Sequence, residues 1–515
     1  MLISLLLQLT AAPPLALPDS QPAARSVIRL PTSAGFRQPA SGGFRQPANP
    51  MLGWSAAASP ECPDCEPRPK HFVRGSAEVV TTLLVPWAFN KWVRGVDFAD
   101  ITWESMWTNI TGPWVWDDND FQTNQIAHPI HGSLYYGSFR TNGYNFWGSA
   151  VATSAGSWLW ENLMETYPPS PNDMITTTLG GIALGEMLFR LSNLTLDNRA
   201  TGSERVFREI GGFLLSPWNG MNRILDGRTK KVFDNPAGWR PSAIQGSLDV
   251  GTRFVGSSGT SLAVLDEPEQ DASIAFHLIY GKPLLDLVGR PFSTFTLASE
   301  LAVGQDRQKL QLLTVQGNLG GSVLKDTENV KHLFAVTMNY DYFFVPNTDT
   351  VANAVIFNYG AQSFTGGVHS SFRISPKWQL LTNVAARGVA LAAVSSDYYN
   401  VIDSNQVEES RNYDFGPGLG VLASASLVQP GRALFSVRYG TTWIHTIDGT
   451  DYDHYLTSAG ATARYFPTGR IGFGASYDYY RRNSVPVDPA TAPGPGTTLI
   501  APILRLFVST AIPHW

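Results

Sequence analysis

Charge is scarce in this chain: Asp, Glu, Lys and Arg make up 15% of its 515 residues, where soluble domains carry roughly 25%. The 37 basic residues do not outnumber the 42 acidic ones, so the balance gives no basic signature of a nucleic-acid partner. Cysteine is almost missing, with Cys62 and Cys65 alone in "ECPDCEP". A metal site there needs ligands that the neighbourhood barely supplies, and a passive disulfide is favoured over a working thiol pair. Past the first residues no apolar run reaches the about 18 residues of a membrane-spanning helix. The nearest, "VVTTLLVPWAFNKWV", holds Pro86 and Lys91 and fits a surface helix anchored by Trp87 and Trp92. G-x-S-x-G, P-loop and H-E-x-x-H motifs are all missing from the sequence.

Aromatic residues, by contrast, reach 12%, with 47 glycines and 35 prolines, a composition that fits a membrane-embedded β protein. "MLISLLLQLTAAPPLALP" has the apolar length of an export signal, assigned to residues 1–24, although it lacks a charged start. Residues 25–75 turn to Pro, Ala, Ser and Gly, with "GFRQPA" twice, and read as a flexible linker.

From residue 240 to 515 the period is two. In "HLFAVTMNYDYFF", His332, Phe334, Val336, Met338, Tyr340, Tyr342 and Phe344 form a mostly apolar face that should meet oil, opposite Thr337, Asn339 and Asp341. Phe435, Val437, Tyr439 and Trp443 oppose Ser436, Arg438, Gly440 and Thr442. Leu248, Val250 and Phe254 likewise oppose Asp249, Gly251 and Arg253, and Ile471, Phe473, Tyr477 and Tyr479 oppose Gly472, Gly474, Ser476 and Asp478. About 12 to 14 such segments predict an antiparallel transmembrane β-barrel of the outer-membrane type, in a chain that is mainly β with an α-helical N-terminal block. A soluble sandwich also alternates. The aromatic ends of the apolar faces and the Gly, Ser and Thr mixed with lone charges opposite them favour the barrel. The final Trp515 adds little, because Pro513 and His514 break the alternation before it.

Residues 76–235 form the helical block, with helical spacing from about His131 to Tyr167 and from Asn172 to Leu191. Ser170 or Asn172 can cap the second helix, Gly181 and Gly185 make a G-x-x-x-G face, and Glu186 and Arg190 stand one turn apart. "WDDNDF", "HPIHGSLYYGSFRTNGYNFWGS", "SWLWENLMETYPPSPNDMITTTLGGIALGEMLFRLSNLTLDNR" and "SPWNGMNRIL" together resemble the bacterial family known as domain of unknown function three-nine-four-three. The resemblance implies an exported Gram-negative envelope protein whose helical region precedes a β-rich half. It passes on no catalytic residues, since the family has no established activity.

The candidate site residues lie in this block. His128 and His131 in H-P-x-H, with Asp117, Asp118 and Asp120 upstream, could bind metal or form a general base. Glu161, Glu165 and Glu186 could complete such a centre. The favoured reading is packing: Pro129 biases His128 toward a non-helical turn, and the acids cap turns or pair with Arg140 and Arg190. No cofactor is expected. The leading function is a non-enzymatic outer-membrane protein supporting transport or envelope organisation, with a periplasm-facing or barrel-plugging helical block. The competing one is a membrane-bound enzyme acting on lipid or envelope substrate. Expected partners are outer-membrane lipid, the barrel-assembly machinery and a small-molecule or lipid ligand.

Overall fold

The computed structural model describes residues 69–236, 239–256, 269–303, 310–346, 355–396, 411–490 and 492–512. The export signal, most of the linker, both cysteines and residues 513–515 lie outside these. Twelve antiparallel strands close into a barrel, each paired with its sequence neighbours and β1 with β12. They are β1 (Ile244–Val255), β2 (Glu269–Tyr280), β3 (Phe295–Val303), β4 (Leu310–Asp326), β5 (Val330–Pro346), β6 (Val355–Arg373), β7 (Gln379–Ser395), β8 (Tyr413–Gln429), β9 (Ala433–His445), β10 (Tyr452–Tyr465), β11 (Ile471–Pro486) and β12 (Thr497–Ala511). At one end, the base, tight turns join β4 to β5, β6 to β7 and β8 to β9. At the other end, the rim, the connections are longer, an asymmetry usual in outer-membrane barrels.

Period-two patterning sets the two faces. Leu248, Val250, Phe435, Val437, Tyr439, Ile471, Phe473, Leu506 and Val508 point outward and are exposed, while Asp249, Arg253, Thr442, Ser476 and Asp478 are buried within. A bulge in β7 between Val389 and Ala392 changes the parity there. Above it Leu391 and Ala393 join the outward cluster, and Ala392 and Val394 the inward one.

Among the described residues eight α-helices stand ahead of the barrel: α1 (Phe72–Phe89), α2 (Trp103–Thr111), α3 (His128–Thr141), α4 (Phe146–Leu163), α5 (Pro171–Ile175), α6 (Gly181–Thr195), α7 (Gly202–Leu215) and α8 (Pro217–Leu225). The expected first helix is split into α3 and α4 at Gly143, whose φ of 88° suits glycine. The G-x-x-x-G face lets α6 cross α3 in direct contact: a Cβ on Gly181 would lie 2.5 Å from the Gly132 Cα, and one on Gly185 would lie 2.7 Å from the Tyr136 Cβ.

The block neither plugs the barrel nor hangs below it; it packs against the outside of the wall. Outward Leu278, Tyr280, Phe295, Leu297, Val315, Met338, Tyr340, Tyr342, Tyr413 and Phe415 share one apolar cluster with Phe121, Tyr136, Phe146, Ile182, Leu184 and Met187 of the block. The expectation that Met338, Tyr340 and Tyr342 meet oil is therefore corrected: they face outward and are covered by helices. At the rim Tyr413 Oη donates to Asn119 O at 2.7 Å and Asn124 Nδ2 donates to Tyr413 Oη at 2.6 Å. At the base Phe146 stacks on Phe292, and Arg190 Nη2 donates to Pro291 O at 3.1 Å. The helices thus run along the wall from rim to base. Phe292 holds a left-handed φ of 57°, a strained geometry for a bulky residue, fixed by that stack and by its N–H donating to Asn318 O.

Candidate functional site

Two facing π-turns organise the region singled out by sequence. Residues Thr123–Ala127 are π-helical and run straight into α3, and Thr176–Gly180 do the same ahead of α6. The first explains why His128 is helical, with φ −60° and ψ −50°, and not in a turn. Pro129 cannot donate to a backbone carbonyl, and the wide π-turn absorbs the misfit. Gly180 gives Pro129 room on the opposite side.

His128 and His131 then diverge. His128 Nδ1 lies 3.2 Å from Thr177 Oγ1 and Nε2 lies 3.5 Å from Asp173 Oδ1. His131 Nε2 lies 3.2 Å from Thr82 O, its ring between Tyr135 and Trp160.

Around His128 gathers a buried polar group. Ser170 caps α5 by accepting from Asp173 N, and its own N–H donates to Glu161 Oε2 at 3.0 Å. Asn172 donates to Asp173 Oδ1 and accepts from Asp117 N. Glu161 and Glu165 stand within hydrogen-bond reach of each other. Asp120 caps the turn before α3, accepting from Gln122 N and Thr123 N. Glu186 stands apart from the rest: its carboxylate accepts from Arg140 Nε, Arg190 Nε and Tyr136 Oη at 2.7–2.8 Å. Asp117, His128, Glu161 and Glu165 thus share a neighbourhood around Asp173; His131 adjoins it through Tyr135 and Trp160 but bonds away from it to Thr82, and Glu186 stands apart. Among the described residues no three His, Cys, Asp or Glu side chains stand in a metal-holding arrangement.

A second site lies inside the barrel, where sequence had marked Arg253, Arg438, Asp341 and Asp478 as inward charges. The lumen pairs them: Arg253 with Asp271 at 3.0 Å, Arg387 with Asp341 at 3.1 Å, Arg464 with Asp249 at 2.6 Å and Arg438 with Asp478 at 2.7 Å. Arg505 bridges Glu300 of β3 and Asp478 of β11 at 2.8 and 2.6 Å. All of these side chains except Arg253 and Asp271 line a cavity of about 360 Å³. Within it half of the Arg438 side chain is exposed, although it is ion-paired. Toward the rim the cavity is closed by Phe343, Phe357 and Tyr480 meeting across the lumen, with ring centroids of Phe343 and Tyr480 4.3 Å apart. Above them His454 bridges Ser484 and Asp414. Sequence reasoning missed Glu300, Arg387, Arg505 and this closure, because their partners lie on strands distant in the chain. Their inward parity was the one available signal.

Residues 113–218 match the domain of unknown function DUF3943, and a closed twelve-stranded barrel follows it. No curated protein matches the sequence. Among solved structures the chain is similar to the NanC porin, with 11% identity over 51% of this chain and 98% of that one and a TM-score of 0.27. It is also similar to an outer-membrane channel from Pseudomonas putida F1, with 12% identity over 53% and 96% and a TM-score of 0.27. The outer-membrane channel DcaP of Acinetobacter baumannii matches at 8% identity over 52% and 96%, TM-score 0.24. The architecture is a closed, twelve-stranded antiparallel barrel preceded by helices.

Proposed function

We propose that this protein is a narrow, gated outer-membrane channel for small polar solutes, without catalysis, inserted by the barrel-assembly machinery and surrounded by outer-membrane lipid. The observation that carries the reading is the lumen. A charged cavity opens beneath an aromatic closure, and both are built on the inward parity of an otherwise regular barrel. Fixed charges of both signs suit a zwitterionic or carboxylate-bearing solute, and half-exposed Arg438 offers it a guanidinium fork. Charged rings and apolar constrictions are the usual elements of selectivity and gating. His128 and His131 bond to different partners, Thr177 and Thr82, which favours a packing role for the pair over the enzyme reading.

Purified protein in a planar lipid bilayer should show little conductance. Phe343→Ala combined with Tyr480→Ala should raise it severalfold, with ion selectivity altered further by Arg438→Gln. A heat-modifiable, folded double variant that stays silent would contradict the channel reading.

A further inference from the structure

The two outer helices of the block are built inside out. On α4, Trp147, Val151, Ala155 and Trp158 fall on one helical face and are all exposed, whereas Ser149, Thr153, Ser157, Glu161 and Asn162 are buried. On α1, Val73, Ala77, Val80 and Leu84 are exposed, whereas Glu78 and Thr82 are buried. Thr81, on the exposed face of α1, turns its hydroxyl back to Ala77 O, as Thr82 does to Glu78 O and Thr153 to Ser149 O. A helix on a water-facing surface shows the opposite arrangement, with charged and polar side chains outward.

The second observation is position. The bundle lies along the outer wall from rim to base, so its outer face continues the apolar surface that the bare strands present through Phe435, Val437 and Tyr439. Eighteen residues give α4 a length of about 27 Å, against an apolar band about 25 Å tall on such barrels. Exposed tryptophans stand near both ends: Trp147 beside the base contact of Phe146, and Trp158, Trp103 and Trp107 toward the rim, where Asn109 of α2 donates to Glu165 O. Tryptophan favours the two membrane interfaces. Among the described residues no helix is long and apolar enough to cross a membrane. α1 and α4 put polar side chains such as Glu78, Thr82, Ser157 and Glu161 into the bundle beside apolar Val79, Leu83 and Trp160, and turn an apolar face outward.

We infer that the outer face of α1 and α4 is a lipid-contacting surface, covered by the acyl chains of the same bilayer that surrounds the bare strands. The helical block is then a lateral part of the membrane-embedded body. The inference rests on the outer-membrane reading above.

The test uses the full chain with Cys62→Ser and Cys65→Ser, reconstituted in phosphatidylcholine vesicles. An environment-sensitive fluorophore is placed on Val151→Cys or Leu84→Cys, on Val437→Cys of the bare wall, and on Asp234→Cys, an exposed position beyond α8. Heat-modifiability confirms folding of each. Labels at 151 and 84 should be quenched by doxyl-labelled lipid as strongly as the label at 437, and severalfold less by iodide than the label at 234. Iodide quenching at 151 and 84 equal to that at 234, with 437 still lipid-quenched, would overturn the inference and leave the barrel in its membrane. Iodide quenching at all four positions would overturn both.

Discussion

The barrel and the bundle both bury charge, but they hold it differently. In the lumen most pairs join strands that are not neighbours, as Arg464 of β10 does with Asp249 of β1, and face a cavity, so that Arg438 keeps half of its surface open while bonded to Asp478. In the bundle Glu186 is fully buried and serves Arg140, Arg190 and Tyr136 at once. Exposed, paired charge can be exchanged for contact with a solute at small cost. Fully buried charge cannot, since an unpaired ion in such a place has no water to replace its partner. The lumen charges therefore suit selectivity, and the bundle charges fix helix register.

That contrast is broken most directly at Glu186. Glu186→Ala leaves two guanidinium groups without their carboxylate and should destabilise the folded protein by about 3 to 5 kcal/mol, read as a lowered denaturant midpoint. Asp341→Asn in the lumen should cost far less, because Arg387 faces the cavity. The two walls of the barrel differ next. Val437→Arg, on the bare outer face, should impair assembly by about 2 to 4 kcal/mol, whereas Ser436→Arg on the inner face should be milder. Equal damage in a vesicle-folding assay would mean that the lumen is packed solid.

The histidines give the smallest effect. His128→Ala with His131→Ala should yield a metal-free protein like the parent by elemental analysis, less stable by about 1 to 3 kcal/mol from groups left unsatisfied. Stoichiometric zinc in the parent, lost in the variant, would restore a catalytic reading.

Much of the barrel was legible because period-two alternation states which side of a strand is apolar. It could not state whether oil or protein covers that side: Val336 and Tyr340 lie on one face of β5, yet the first is exposed and the second is under Gln125. The Glu186–Arg190 pair was legible from helical spacing, and Ser170 from its place before Pro171. The Glu300–Arg505 bridge was not, since only barrel closure brings β3 and β12 within reach of each other. His128 was misplaced because the rule for a residue before proline takes no account of a π-turn upstream.

The bundle covers the outside of the barrel wall. A Cβ on Gly360, an outward position of β6, would fall 2.6 Å from Gln125 Cγ, so cysteines at the two positions come within reach of a disulfide. The neighbouring Ala361 faces the lumen. In a background of Cys62→Ser and Cys65→Ser, Gln125→Cys should cross-link with Gly360→Cys under mild oxidation, read by mass spectrometry of the joined peptides. It should not cross-link with Ala361→Cys. Cross-linking to position 361 in place of 360 would put the helices inside the barrel and contradict the account.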